Sequence, residues 1–144
     1  MLISTKGQYA LQLLTDLAEH QSDGYVSLKE VAERQEISEK YLETIIRILV
    51  KEGILVGLRG KGGGYRLSQS PDHFSVYRVL QLAENSPLAP VSCLNANSKP
   101  CARMVHCRTF PLWQGLNRVI REYLSSYTIA DLMQAGQPGD DYII

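Results

Sequence analysis

Between Ile37 and Leu67 the chain passes from a helix pattern to a pair of short strands, and its neighbours must fold around that change. From Ser38 onward, Leu42, Ile45, Ile46 and Leu49 recur at the three- and four-residue steps that give a helix one buried face. Lys40, Thr44, Arg47 and Lys51 recur at the same steps on the other face, which leaves hydroxyl and cationic groups for a partner. Gly53 stops this helix, and residues 54–56 and 65–67 read as strands joined through Arg59-Gly60-Lys61-Gly62-Gly63-Gly64. Upstream, Ser27-Leu28-Lys29-Glu30 is a capping box opening a short helix over residues 27–34, linked by residues 35–37 to the next. The expected fold is mainly α with a small β-hairpin wing, a winged helix-turn-helix that places a helix in the major groove of duplex DNA.

The 144 residues, 44% of them hydrophobic, allow one compact domain with an appendage. No apolar run approaches the roughly 20 residues of a membrane span. The start, Met1-Leu2-Ile3-Ser4-Thr5-Lys6, lacks the charged-then-apolar design of a secretion signal, so a cytoplasmic protein without a membrane partner is expected. A net charge of zero argues against nucleic acid until its distribution is considered. Residues 34–66 hold seven Lys/Arg against four Glu, whereas from Tyr127 onward there are three Asp and no base.

A first helix is expected over residues 4–20, with Ala10, Leu13, Leu14, Leu17 and Ala18 inward and Lys6, Gln12, Asp16 and Glu19 outward. Ser75 caps a helix over residues 76–84. Residues 85–100, with Pro at 87, 90 and 100, form a loop of about 16 residues, a length that compact domains keep mainly for function. Thr109 and Pro111 open the longest helix, to about Tyr127, roughly 28 Å long. Its apolar residues, among them Leu112, Leu116, Val119 and Tyr123, span more than one stripe, which predicts a dimerisation helix packed on its own domain and its twin. A last helix opens at Thr128-Ile129-Ala130-Asp131 and closes near Gly136. The expected organisation is a reader (1–84), a cysteine-bearing sensor loop (85–108) and a dimerisation helix with tail (109–144).

At the reader, Ser38, Lys40, Tyr41 and Thr44 sit at the front of the second helix, where base edges are met, with Glu43 in the middle of that face and Arg47 one turn on; Arg59, Gly60 and Lys61 form the wing tip. Arg59 suits minor-groove insertion, because the flanking glycines let backbone approach DNA closely. A phosphate-cradling loop fails: Gly62 follows Lys61 where a hydroxyl residue is needed, and Leu55 replaces the first glycine. Glu43 is the discordant residue. It pairs with Arg47 one turn on, accepts from a cytosine amino group, or acts as a gate that must be re-aimed before some sites are bound.

Cys93-x7-Cys101-x5-Cys107 sets three thiols within fifteen residues, interspersed with Lys99, Arg103, His106 and Arg108, whose charge favours thiolates. The spacing is too wide for zinc knuckles. It suits an iron–sulfur cluster, with the fourth ligand open and His106 the nearest local candidate; a thiol switch, zinc or incidental cysteines are the alternatives. We see no Ser/His/Asp or paired-carboxylate arrangement, so the chain is not expected to be an enzyme.

Ser4-Thr5-Lys6-Gly7-x-Tyr9-Ala10, Ser38-x-x-Tyr41-Leu42-Glu43, Arg59-Gly60-x-Gly62-Gly63-Gly64-Tyr65, the three cysteines, Trp113 and Thr128-Ile129-x-Asp131-Leu132 together resemble the Rrf2 family of bacterial transcription regulators. The resemblance implies a homodimer with crossed long helices and a [2Fe-2S] or [4Fe-4S] cluster on the cysteine loop, mostly repressing its targets in response to cluster supply, nitric oxide, iron or redox state. Glu43 and the wing resemble the cluster-biogenesis branch, yet the His which that branch places three residues after the last Cys is here Phe110. The nitric-oxide-sensing branch is similar in Cys spacing but takes an acidic ligand from the first helix, where this chain has Gln8. The reading is therefore a dimeric regulator of a palindromic operator, switched by a cluster on Cys93, Cys101 and Cys107 that orders the loop and adjusts the spacing of two reader helices. The alternative is a same-fold repressor controlled by thiol redox state or a protein partner; a cluster-bearing electron carrier would not need the wing.

Overall fold

The computed structural model describes residues 3–21, 24–85, 88–94 and 102–135. Hydroxyl residues set where most helices begin. Ser4, Ser27, Ser38 and Ser75 each accept the backbone N–H three residues on, opening α1 (Thr5–His20), α2 (Leu28–Gln35), α3 (Glu39–Lys51) and α4 (Val76–Glu84). Thr128 does the same for α6 (Ile129–Gln134), and Asp131 returns the bond to complete a capping box. Only α5 (Phe110–Ser125) starts without such a cap, with Pro111 in its first turn. Among the described residues, single turns of 3-10 helix at Pro71–His73, Ser92–Leu94 and Met104–His106 lie in the connections.

α1 is the central element: Ala10, Leu13 and Leu14 are fully buried and Leu17 nearly so. Around it sit Val31 of α2, Leu42, Ile45, Ile46 and Leu49 of α3, Val79 and Ala83 of α4, and Ile129 of α6. Glu36 adopts a left-handed conformation (φ 54°) that ends α2, so that buried Ile37 turns the chain into α3. Strands β1 (Leu55–Leu58) and β2 (Gly64–Leu67) form an antiparallel hairpin in the register Leu55↔Leu67 to Leu58↔Gly64. Val26 adds a third rung by bridging Tyr65, its N–H donating to Tyr65 O at 2.9 Å and its carbonyl accepting from Tyr65 N at 2.8 Å. No helix among the described residues is long and apolar enough to cross a membrane.

Several details differ from the sequence expectation for identifiable reasons. Asp16, expected on the outer face of α1, is 2% exposed because Arg34 and Gln35 of α2 reach its carboxylate. The first strand starts at Leu55 rather than Ile54, whose N–H is still engaged with Leu49 O at the end of α3. Tyr127 is pulled off the end of α5: its carbonyl accepts from Val76 N at 2.9 Å, beside the Ser75↔Thr128 bridge. Within the expected long loop, Leu88 is buried against Val76 and Leu80, and Ser92–Leu94 forms a turn. Residues 95–101 of that segment, and the expected stop at Gly136, lie outside the described residues.

Candidate nucleic-acid interface

The outward side of α3 is Ser38, Lys40, Tyr41, Glu43, Thr44, Arg47 and Lys51, all exposed. Ser38 Oγ accepts from Tyr41 N at 3.2 Å, so one of its lone pairs is committed to the cap. Thr44 Oγ1 donates to Lys40 O at 3.3 Å and keeps its acceptor side open. Tyr41 stands edge-on to Tyr9 of α1, with centroids 5.4 Å apart and planes at 81°. That contact orients an exposed ring that the α3 pattern alone left unrestrained, and Tyr9 was absent from the sequence-derived site.

The hairpin folds back so that the wing faces this helix. Arg47 and Lys51 of α3 and Arg59 of the wing line a single cleft of about 490 Å³, walled by Ile46, Leu58 and Tyr65. A second cleft of about 410 Å³ lies on the other side of Ile46, Arg47 and Tyr65 and holds Glu39, Glu43 and Leu28. Gly60 and Lys61 sit exposed at the tip, where Gly63 N donates to Gly60 O at 3.0 Å. The glycines are not an ordinary loose turn. Gly62 has φ 77°, and a side chain at Gly64 (φ 150°) would collide with the Val26 carbonyl.

Electrostatics sharpen the picture. Of the seven cations in residues 34–66, Arg34 is consumed by Asp16 at 2.7 Å, and this hydrogen bond raises the guanidinium pKa above its ordinary value against the opposing effect of burial. Arg66 lies over the Tyr25 ring at 5.8 Å. Glu52 is paired at 3.9 Å with Arg78. Glu43 and Arg47 share a cleft, yet no ion pair joins them among the described residues, so the plain pairing expected for Glu43 is not formed. Lys40, Arg47, Lys51, Arg59 and Lys61 are exposed on α3 and the wing and form no ion pair among the described residues.

Residues 3–135 match the model of the Rrf2 family, described as an iron-dependent transcriptional regulator. The chain belongs to the Rrf2 family. Over 134 residues it is 37% identical to Protein rrf2 of Nitratidesulfovibrio vulgaris, covering 93% of this chain and 88% of that one. It is 36% identical over 135 residues to the HTH-type transcriptional regulator IscR of Photobacterium profundum, covering 93% of this chain and 76% of that one. Among solved structures, CymR, the global cysteine regulator of B. subtilis, superposes with a TM-score of 0.76 at 33% identity, covering 93% of this chain and 97% of that one. T. potens IscR also gives 0.76 at 33% identity, covering 99% and 93%. This Rrf2 protein is accordingly a DNA-binding transcription regulator and not an enzyme.

The cysteine region is described in part. Cys93, in the Ser92–Leu94 turn, and Cys107, just ahead of α5, are half-buried free thiols, whereas Cys101 lies outside the described residues. Cys107 Sγ is 3.3 Å from Thr109 Oγ1; that hydrogen bond, with the backbone N–H groups of Thr109 and Phe110, lowers the thiol pKa. Thr109 stands at the start of the helix as expected, but its side chain makes no capping bond and contacts the sulfur. His106 is exposed, and Gln8 Nε2 donates to Ile3 O at 3.2 Å. Among the described residues no three His, Cys, Asp or Glu side chains converge on a metal position. The N–H and O–H donors around Cys107 favour its thiolate form, the form in which a cysteine ligates a metal.

Proposed function

We propose that this Rrf2 protein is a homodimeric repressor that reads a palindromic operator with α3 and its wing, and that an iron–sulfur cluster on Cys93, Cys101 and Cys107 controls its affinity. The observation that carries the DNA reading is the single cleft lined by Arg47 and Lys51 of α3 and Arg59 of the wing. Cations from two elements facing one groove can neutralise phosphates on both its sides, while Lys40 and Thr44 at the front of α3 meet base edges. Glu43, unpaired beside Arg47, disfavours phosphate and accepts from a base amino group, which makes it a discriminator. Self-association is supported by α5, which has no buried residue and exposes Leu112, Val119 and Tyr123 at 62%, 56% and 59%. Two readers held by such a seam span half-sites about 34 Å apart.

When bound, the cluster would add a redox- and supply-sensitive charge beside the start of α5. The chain's own part is to supply thiolates: Thr109 and the first backbone N–H groups of α5 hold Cys107 ready to ligate, and Arg103 and Arg108 offset anionic charge. Protein purified without oxygen should absorb near about 400 nm and contain stoichiometric iron and sulfide. It should also bind duplex DNA with a steep salt dependence. Colourless, iron-free protein that still binds a palindrome would remove the cluster and leave the regulator. The second reading, a same-fold repressor controlled by thiol redox state or a protein partner, is favoured by the equal structural likeness to the B. subtilis cysteine regulator.

A further inference from the structure

Tyr65 stands where the wing meets the reader helix. Its backbone is pinned from one side, since both its N–H and its carbonyl are spent on Val26, at 2.8 and 2.9 Å. With both groups used there, Tyr65 faces Gly57 across β1 without exchanging hydrogen bonds, the pairing that brings opposed residues closest. Its ring lies over Gly57: a Cβ at that position would stand 3.0 Å from Tyr65 Cε1 and 3.3 Å from Cδ1. On its other side the ring walls both clefts, and it is the only wing residue that does so, in company with Ile46 and Arg47 of α3. Ile46 is 3% exposed, and Tyr65 packs, half-buried, against the core cluster that contains it, with Gly57 on its β1 side. The phenol oxygen has no hydrogen-bond partner among the described residues, which leaves the flat ring itself as the working part.

We infer that Tyr65 is a positioning residue for DNA recognition: its ring is the spacer that sets how far Arg59 stands from Arg47 and Lys51, and so whether wing and helix engage adjoining grooves together. Gly57 belongs to the same device, because a Cβ there would press on the ring and require it to give by a few tenths of an ångström. A smaller side chain at 65 leaves β2 paired with Val26 and β1 but lets the tip swing toward α3. Arg59 then reaches the duplex out of register. This rests on the reading that the α3 face and the wing tip meet one duplex.

The test is a double-mutant cycle on the full-length protein, using a fluorescent duplex enriched by the wild-type protein from a random-sequence pool. Arg59→Ala should weaken binding about tenfold in the wild-type background. In the Tyr65→Leu background, itself weakened about tenfold, the same change should cost less than about twofold. Tyr65→Phe should restore both the affinity and the full Arg59 cost. Gly57→Ala, which presses on the ring while keeping Tyr65, should shift the Arg59 cost in the same direction as Tyr65→Leu but by less, and it serves if Tyr65→Leu fails to fold. An equal Arg59 cost in all backgrounds, or a Tyr65→Phe defect as large as that of Tyr65→Leu, overturns the spacer role. An Arg59→Ala change without effect in the wild-type protein overturns the shared-duplex reading itself, and the spacer role with it.

Discussion

Asp16 of α1 and Arg34 of α2 are locked in a two-pronged ion pair, Arg34 Nη2 donating to Oδ1 at 2.7 Å and Nε to Oδ2 at 3.0 Å. Gln35 Nε2 adds a third donor at 2.8 Å, and His20 Nδ1 lies 3.6 Å from the same carboxylate. The Asp16 side chain is 1% exposed and that of Arg34 34%, so the charge is buried on one side only. This cluster ties the first reader helix to the central helix of the core at the point where α2 turns toward α3. A carboxylate so placed is tolerated because all its donors are supplied from one neighbouring segment.

Replacing Asp16 by Asn should therefore cost about 1–3 kcal/mol, below the full value for a buried pair because Arg34 can still reach water. Thermal unfolding should show a lowered Tm, and DNA affinity should fall only through the loss of folded protein. A Tm equal to that of the wild type would mean the pair contributes no net stability.

Gly64 is where the wing meets the strand-like segment at Val26. An alanine there combines a disfavoured φ of 150° with a collision against the Val26 carbonyl. We expect Gly64→Ala to release the wing and weaken DNA binding while far-UV circular dichroism keeps the helical signal. Wild-type affinity in that variant would show that the wing contributes nothing to binding.

Glu43 forms no ion pair among the described residues, on a face rich in cations. Removing its charge should raise affinity for random duplex and lower discrimination between an enriched operator and random DNA, by a factor of about ten at the position it reads. Competition titrations at fixed salt measure both quantities. Unchanged affinity for every duplex would leave Glu43 without a role in recognition.

The exposed seam of α5 predicts the effect of a charge at its centre. Val119→Glu should leave the fold of one chain intact, because Val119 is 56% exposed there, but convert dimer to monomer in sedimentation. The monomer should lose most of its operator affinity, since each half-site is then bound separately. A monomeric wild-type protein would remove the two-half-site reading.

Much of this molecule is written in short-range signals. Helix starts follow from a hydroxyl residue and the backbone N–H three residues on, so Ser27, Ser38, Ser75 and Thr128 were each legible without knowing what they pack against. The buried face of α3 and the glycine-rich wing were equally plain, because helical repetition and turn chemistry are properties of neighbouring residues. Asp16 has the helical position of an outward residue yet is buried, because its partner lies 18 residues away, beyond any local pattern. The same reason hid the work of Tyr9 and Tyr65, which touch an element from another part of the chain. Local patterning is thus enough to mark the helices, the wing and the family they spell. That Arg47 and Arg59 face one cleft, that Glu43 finds no ion-pair partner among the described residues and that α5 keeps its apolar side open are visible in three dimensions alone, since those relations depend on how separate elements are set against one another in space.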